Sequence, residues 1–127
     1  MDTPQIQNKT QTGTPIEFEA PCCYSVRECT VRALYIISLT SKKVLREIEA
    51  VRCARGYQKK FKFYPADNVV LVHYYRSNRG NVSINVIWMP EGVPKEQVEY
   101  AVKKALGLLS EYNVWVSFEN AIVQKVE

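Results

Sequence analysis

Residues 69–88 read VVLVHYYRSNRGNVSINVIW and are the clearest structural signal in the chain. The first part is rich in β-branched and aromatic residues, and the last part places apolar residues at every second position. The polar residues 77–80, SNRG, lie between them and are typical of a hairpin loop. This stretch therefore predicts two antiparallel strands joined by a short turn.

Further strands are predicted on both sides of this hairpin. Lys60–Tyr64 alternates charged and aromatic residues and is followed by the turn signal Pro65–Asn68, which makes residues 60–88 an antiparallel meander. Val114–Phe118 predicts a last strand, and residues 121–123 either extend it or form another. Residues 16–20 alternate as well, so they are either a short first strand or an extended lead-in.

Three helices are predicted from apolar spacing and capping signals. Ser25 and Glu28 form a capping box at the start of the first helix, and Thr40-Ser41 separates it from the second. Pro94 fits the first position of the third helix. The apolar stripes of the three helices are, in order, Val26, Cys29, Ala33, Ile36 and Ile37; Val44, Leu45, Ile48 and Val51; and Val98, Ala101, Val102, Ala105, Leu108 and Leu109.

These elements predict an α+β fold with the order α-α-β-β-β-α-β, in which an N-terminal αα hairpin and a further helix pack on one face of the sheet. The other sheet face is then at least partly open. Residues 1–15 are polar and predict a flexible N-terminal arm, and residues 16–127 predict a single domain. The polar first residues do not resemble a signal peptide, and no apolar run could span a membrane, which favours a cytoplasmic protein.

The charge is unevenly distributed along the chain. The net charge is +4, but residues 21–64 hold ten Lys or Arg against three acids, whereas the flanking segments are slightly acidic. A positive block of this kind favours an anionic partner. The alternative is a solvated helix face together with a charged edge strand.

The main functional hypothesis is a non-enzymatic protein that binds single-stranded DNA or RNA. Lys and Arg neutralise phosphates, and aromatic rings stack on unpaired bases. The predicted nucleic-acid-binding residues are Arg52, Arg55, Tyr57, Lys59, Lys60, Lys62, Tyr64, Tyr75, Arg76 and Arg79. In the alternative interpretation, Phe61 and Phe63 are core residues and the lysines beside them protect an edge strand from pairing.

The open sheet face is a second part of this hypothesis. If the apolar residues of the hairpin form the core, then His73, Tyr75, Ser83 and Asn85 lie on the other face, where they can stack on bases and form hydrogen bonds with them. The alternative is an ordinary solvent face. Duplex recognition is disfavoured because no helix is dense in the Arg, Asn and Gln residues that contact base edges.

The four cysteines leave several interpretations open. Cys29 and Cys53 lie at similar distances from Thr40-Ser41, so an antiparallel helix pair would bring them together in a disulfide. Cys22 or Cys23 could instead pair with Cys53, or all four could be buried free thiols. A zinc site is disfavoured because the chain has no C-x-x-C pair.

No catalytic, metal or cofactor site is predicted. His73 is the one histidine, and no known phosphate-binding or metalloprotease motif is present. The alternative function is a protein-interaction module or homodimer, and the two tryptophans, Trp88 and Trp115, are expected to be core or interface residues.

Overall fold

The computed structural model describes residues 14–19, 29–49 and 60–126. These residues form eight strands and one helix, in the following order along the chain: β1 (Ile16–Glu19), β2 (Cys29–Ser38), β3 (Val44–Glu49), β4 (Lys60–Phe63), β5 (Val69–Ser77), β6 (Val82–Pro90), α1 (Lys95–Ala105), β7 (Val114–Ser117) and β8 (Ile122–Gln124).

Six of the strands form one sheet. Five of them follow the order β3-β2-β5-β6-β7, and the sixth, β8, also pairs with β6. Strands β3, β2, β5 and β6 are each antiparallel to their neighbours in this order, whereas β7 and β8 both pair in parallel with β6. Strand β7 pairs with the first half of β6 and β8 with its last residues, so the two short strands share one edge. Strands β1 and β4 form a separate two-stranded antiparallel sheet.

The predicted α+β fold with an αα hairpin is wrong, because the described part of the chain is mostly β-sheet and contains a single helix. The described parts of the two segments predicted as helices instead form the β2–β3 hairpin, and Thr40-Ser41 lies in its turn. The physical reason is that β2 lies inside the sheet with both faces largely covered. Its apolar residues therefore occupy consecutive positions. The spacing of apolar residues in such a run is the same for a buried strand and a buried helix, so it cannot tell them apart.

The structure contains the other predicted helix and strands, with some changes in their bounds and pairing. The β5–β6 hairpin and the third helix are confirmed, although Pro94 lies at the N-cap position, one residue before the first helical position that was expected for it. The helix ends at Ala105, before Leu108 and Leu109, because Gly107 adopts a φ of 72° that stops helical geometry. Strand β4 exists but pairs with β1 rather than β5, so the three predicted strands do not form one meander.

The large sheet lies between two apolar layers. Its inner face, which we define as the face covered by α1, packs Val72, Ile84 and Val86 against Val98 and Val102 of the helix. Within the described residues, no helix is long and apolar enough to cross a membrane.

The outer face is the opposite side of the large sheet, and the β1–β4 sheet covers one end of it. Phe63 and Phe18 belong to the cluster that contains Trp88, and the rings of Phe63 and Trp88 have centroids 5.3 Å apart. Trp88 is fully buried, and its Nε1 donates a hydrogen bond to Oε1 of Gln124 at 2.7 Å. This bond fixes β8 against the end of β6.

Candidate functional site

The other end of the outer face carries polar and aromatic side chains instead of apolar ones. Two rows of directly paired residues cross the sheet there, each with one residue from β2, β5, β6 and β7. The aromatic row is Arg32, Tyr75, Ser83 and Trp115, and the histidine row is Leu34, His73, Asn85 and Ser117. Together they form the candidate site.

The sequence places these side chains on the outer face through strand alternation. In β5, Val70, Val72 and Tyr74 belong to the inner core, so the residues that alternate with them, including His73 and Tyr75, point the other way. The same alternation in β6 and β7 turns Val82, Ile84 and Val114 inward. The expectation that His73, Tyr75, Ser83 and Asn85 share one face agrees with this register.

The aromatic row presents two rings separated by a serine. Trp115 is 57% exposed, whereas Tyr75 and Ser83 are half-buried. Since adjacent strands lie about 4.8 Å apart, the backbones that carry Tyr75 and Trp115 are separated by roughly 10 Å. The Arg32 guanidinium lies 5.2 Å from the centroid of the Tyr75 ring, which places a positive charge at one end of the row.

The histidine row is neutral at its centre. Burial, together with the nearby Arg32 charge, lowers the pKa of His73 below its usual value of 6.5. Its Nε2 atom is buried and has no hydrogen-bond partner in the part of the chain that the structure describes. Asn85 pairs with His73 across the strands, and its side chain is exposed.

The basic strand β4 lies away from these rows, on the small sheet. Its outward residues Lys60 and Lys62 pair with Glu19 and Glu17 of β1. Lys60 and Lys62 therefore each face an acidic residue across the strands, which compensates their positive charge. Tyr64, which follows β4, is exposed at the same sheet.

The remaining predicted site residues fall in three places. Arg79 is exposed in the β5–β6 turn, which follows Tyr75 along β5 and precedes Ser83 in β6. Arg76 points to the inner side, where its Nε donates a hydrogen bond to the Tyr74 hydroxyl at 3.2 Å. The predicted residues that lie outside the described ranges are Arg52, Arg55, Tyr57 and Lys59. Of the predicted set, Tyr75 thus lies in the aromatic row and Arg79 in the adjacent turn, whereas Arg76 lies at the same end of the sheet on its inner face.

Two residues of the aromatic row were not predicted as site residues. Arg32 was assigned to a helix, which gave no indication that it pairs with Tyr75. Trp115 was expected to be a core or interface residue, but its neighbours Val114 and Val116 pack inward and leave it on the outer face. The alternation in Val114–Ser117 was the signal that could have identified Trp115.

The predicted disulfide between Cys29 and Cys53 is not supported. In the described residues, the β2–β3 hairpin, whose first strand begins at Cys29, replaces the helix pair that was to bring the two cysteines together. Cys22, Cys23 and Cys53 lie outside the described residues, and the described ranges contain no disulfide. Within the same ranges, no cluster of three or more His, Cys, Asp or Glu residues could hold a metal ion.

The site can therefore stack flat rings, contact anions through Arg32 and form hydrogen bonds through Ser83 and Asn85. No family model, curated protein or solved structure matches this chain.

Proposed function

We propose that the protein binds single-stranded DNA or RNA across the aromatic row of its outer sheet face. The observation that carries this proposal is the combination of an exposed Trp115 with Tyr75 and Arg32 in one row across the strands. Aromatic residues on a sheet surface are a recurrent platform for unpaired bases.

Stacking supplies the sequence-tolerant part of the affinity. A base that stacks on an aromatic ring contributes roughly 1–3 kcal/mol, as measured by alanine substitution. Trp115 offers an exposed ring. The Arg32 guanidinium, a group that itself stacks on bases, lies over the Tyr75 ring. Ser83 lies between the two rings and leaves room above the sheet, because its side chain is short.

The phosphates of the same strand are expected to contact Arg32 and Arg79. Both lie at the end of the sheet that carries the aromatic row, and Arg79 is exposed. The contributions of Arg52, Arg55, Tyr57 and Lys59 stay predictions from the sequence. A duplex is the less favoured ligand, because α1 packs its apolar side on the sheet and carries Glu96 and Glu99 among its exposed or half-buried residues.

The test is fluorescence anisotropy with labelled single-stranded DNA, single-stranded RNA and duplex DNA of one sequence, at about 50 and 200 mM salt, where phosphate contacts differ most in strength. We expect both single strands to bind more tightly than the duplex. Trp115→Ala should weaken single-strand binding by roughly 5- to 150-fold, the equivalent of one stacked base.

The matched control is Tyr100→Ala, which removes an exposed aromatic side chain from α1, on the other side of the sheet. It should bind as the wild-type protein does. Absence of binding to every oligonucleotide at the lower salt concentration, or wild-type affinity in Trp115→Ala, would overturn the proposal.

A second candidate function is self-association through the β7–β8 edge. This edge carries exposed apolar side chains, among them Trp115, Ile122 and Val123, and such groups often mark a protein interface. Light scattering over a micromolar concentration series distinguishes the two functions. A mass that doubles with concentration and reverts in Val123→Lys would support an assembly module, whereas a constant monomer mass would remove it.

A further inference from the structure

Asn85 is an unusual residue for its position in the large sheet. It lies in β6, which is paired on both sides, and asparagine is depleted from strands because its short polar side chain competes with regular structure. Its amide is exposed and makes no hydrogen bond within the described residues. A free donor and acceptor at the centre of the candidate site therefore lack a structural explanation.

The register places Asn85 next to both stacking rings. Ser83, two residues earlier on the same face, pairs with Tyr75 on one side and with Trp115 on the other. Asn85 is therefore the diagonal neighbour of both aromatic residues, and diagonal neighbours lie about 7–8 Å apart, within reach of long side chains. A base that stacks on either ring and extends along the strands would present its edge to this amide.

From this placement we infer that Asn85 selects the base bound at the aromatic row and favours adenine. The inference rests on the proposed function, since it names the ligand preference of the same site. An asparagine amide donates one hydrogen bond and accepts another, and this pair matches N7 and N6 of adenine in a bidentate contact.

Adenine fits the site better than the pyrimidines do, because it can pair with the amide in two ways. Its N6 amino group lies between N7 and N1, so an unpaired adenine offers the amide a matching donor and acceptor on either of two edges.

The experiment compares oligo-dT strands of about 15 nucleotides, near the upper end of known site sizes, that differ only at two central positions. These two positions hold thymine, cytosine or adenine. The rest of each strand is identical, so the three strands have the same flexibility outside the two positions. We expect the adenine strand to bind about tenfold more tightly, as one good bidentate contact provides.

Asn85→Ala and Asn85→Thr should both reduce this preference to less than about twofold while they bind the all-thymine strand as the wild-type protein does. The threonine variant restores a residue that favours strands, so agreement between the two variants excludes a folding defect. The control Asn120→Ala removes an exposed amide from the β7–β8 connection and should keep the preference.

The outcomes separate this inference from the proposed function. Equal binding of the three strands by the wild-type protein, or a preference that persists in both Asn85 variants, overturns the role of Asn85 and leaves strand binding intact. Failure of all three strands to bind overturns both.

Discussion

Lys42 has a backbone conformation that its side chain disfavours. Its φ is 57°, in the left-handed region, and it lies in the β2–β3 turn, where its N–H donates to the Ser38 carbonyl at 3.0 Å. The turn is also anchored from outside, because Asn68 accepts a hydrogen bond from the Thr40 N–H and donates one to its hydroxyl. The surrounding hydrogen bonds thus hold Lys42 where glycine would fit more easily.

Lys42→Gly should therefore raise the free energy of unfolding by about 0.5–1 kcal/mol, since a left-handed conformation costs other residues roughly 1–2 kcal/mol and glycine loses more chain entropy on folding. Urea unfolding measures the change. Lys43→Gly, at an adjacent position with negative φ, should be neutral or destabilising. A loss of stability in Lys42→Gly that equals the loss in Lys43→Gly would contradict the prediction.

His73 should make stability depend on pH. Its pKa is lowered in the folded protein by burial and then by Arg32, so near pH 6.5 the unfolded chain binds more protons than the folded chain. The free energy of unfolding should consequently fall as the pH drops from above 6.5 toward the lowered pKa, and it should be unaffected by this group at higher pH.

Urea unfolding at a series of pH values tests this dependence, with His73→Gln as the comparison. The variant should lose the part of the slope that lies just below pH 6.5. Parallel pH profiles of the two proteins would show that His73 does not titrate differently in the folded and unfolded states.

At the scale of elements, sequence and structure agree where one sheet face differs from the other in polarity. Apolar and polar residues alternate in β6, because its inner residues pack against α1 while Ser83 and Asn85 lie on the outer face. This alternation identifies β6 as a strand from the sequence alone. In β2, Tyr35 and Ile37 pack in the inner core while Leu34 lies in the outer cluster. A strand that is apolar on both faces shows no alternation of apolar and polar residues. In its absence, the capping signals near β2 and β3 favoured helices, and the prediction was wrong.

The small sheet should depend on Phe63 for its attachment. Phe63 is 1% exposed and lies against Trp88, so Phe63→Ala removes the main apolar contact between β4 and the large sheet. Such a truncation costs about 3–5 kcal/mol. In a Trp115→Phe background, where Trp88 is the one tryptophan, its emission should also shift to longer wavelength as water reaches the ring.

Phe63→Leu, a milder truncation, keeps this test informative if the alanine variant does not fold. Lys62→Ala, which removes the adjacent outward side chain, should change stability by no more than about 0.5 kcal/mol. An unchanged emission maximum and midpoint in both Phe63 variants would mean that the small sheet is held by other contacts.

At the scale of the whole molecule, the linear distribution of charge is a poor guide to the folded surface. The basic block of residues 21–64 includes Lys60 and Lys62, but β1 comes from the acidic segment before it and places Glu17 and Glu19 opposite them. The aromatic row likewise combines residues that are 83 positions apart, from Arg32 to Trp115. Charges and rings that meet only through strand order could not be grouped from the sequence.

The salt dependence of binding should reveal which charges contact the strand. For single strands, the slope of log affinity against log salt concentration is about −0.7 for each phosphate that a cationic residue neutralises. Arg79 lies exposed at the end of the sheet that carries the aromatic row, so Arg79→Gln should make the slope shallower by about 0.7.

Arg79→Lys retains the charge and should leave the slope as it is. Lys60→Gln should also leave it unchanged, because Lys60 lies on the small sheet opposite Glu19. The reverse result, a slope that responds to Lys60 and not to Arg79, would move the binding surface from the aromatic row to strand β4.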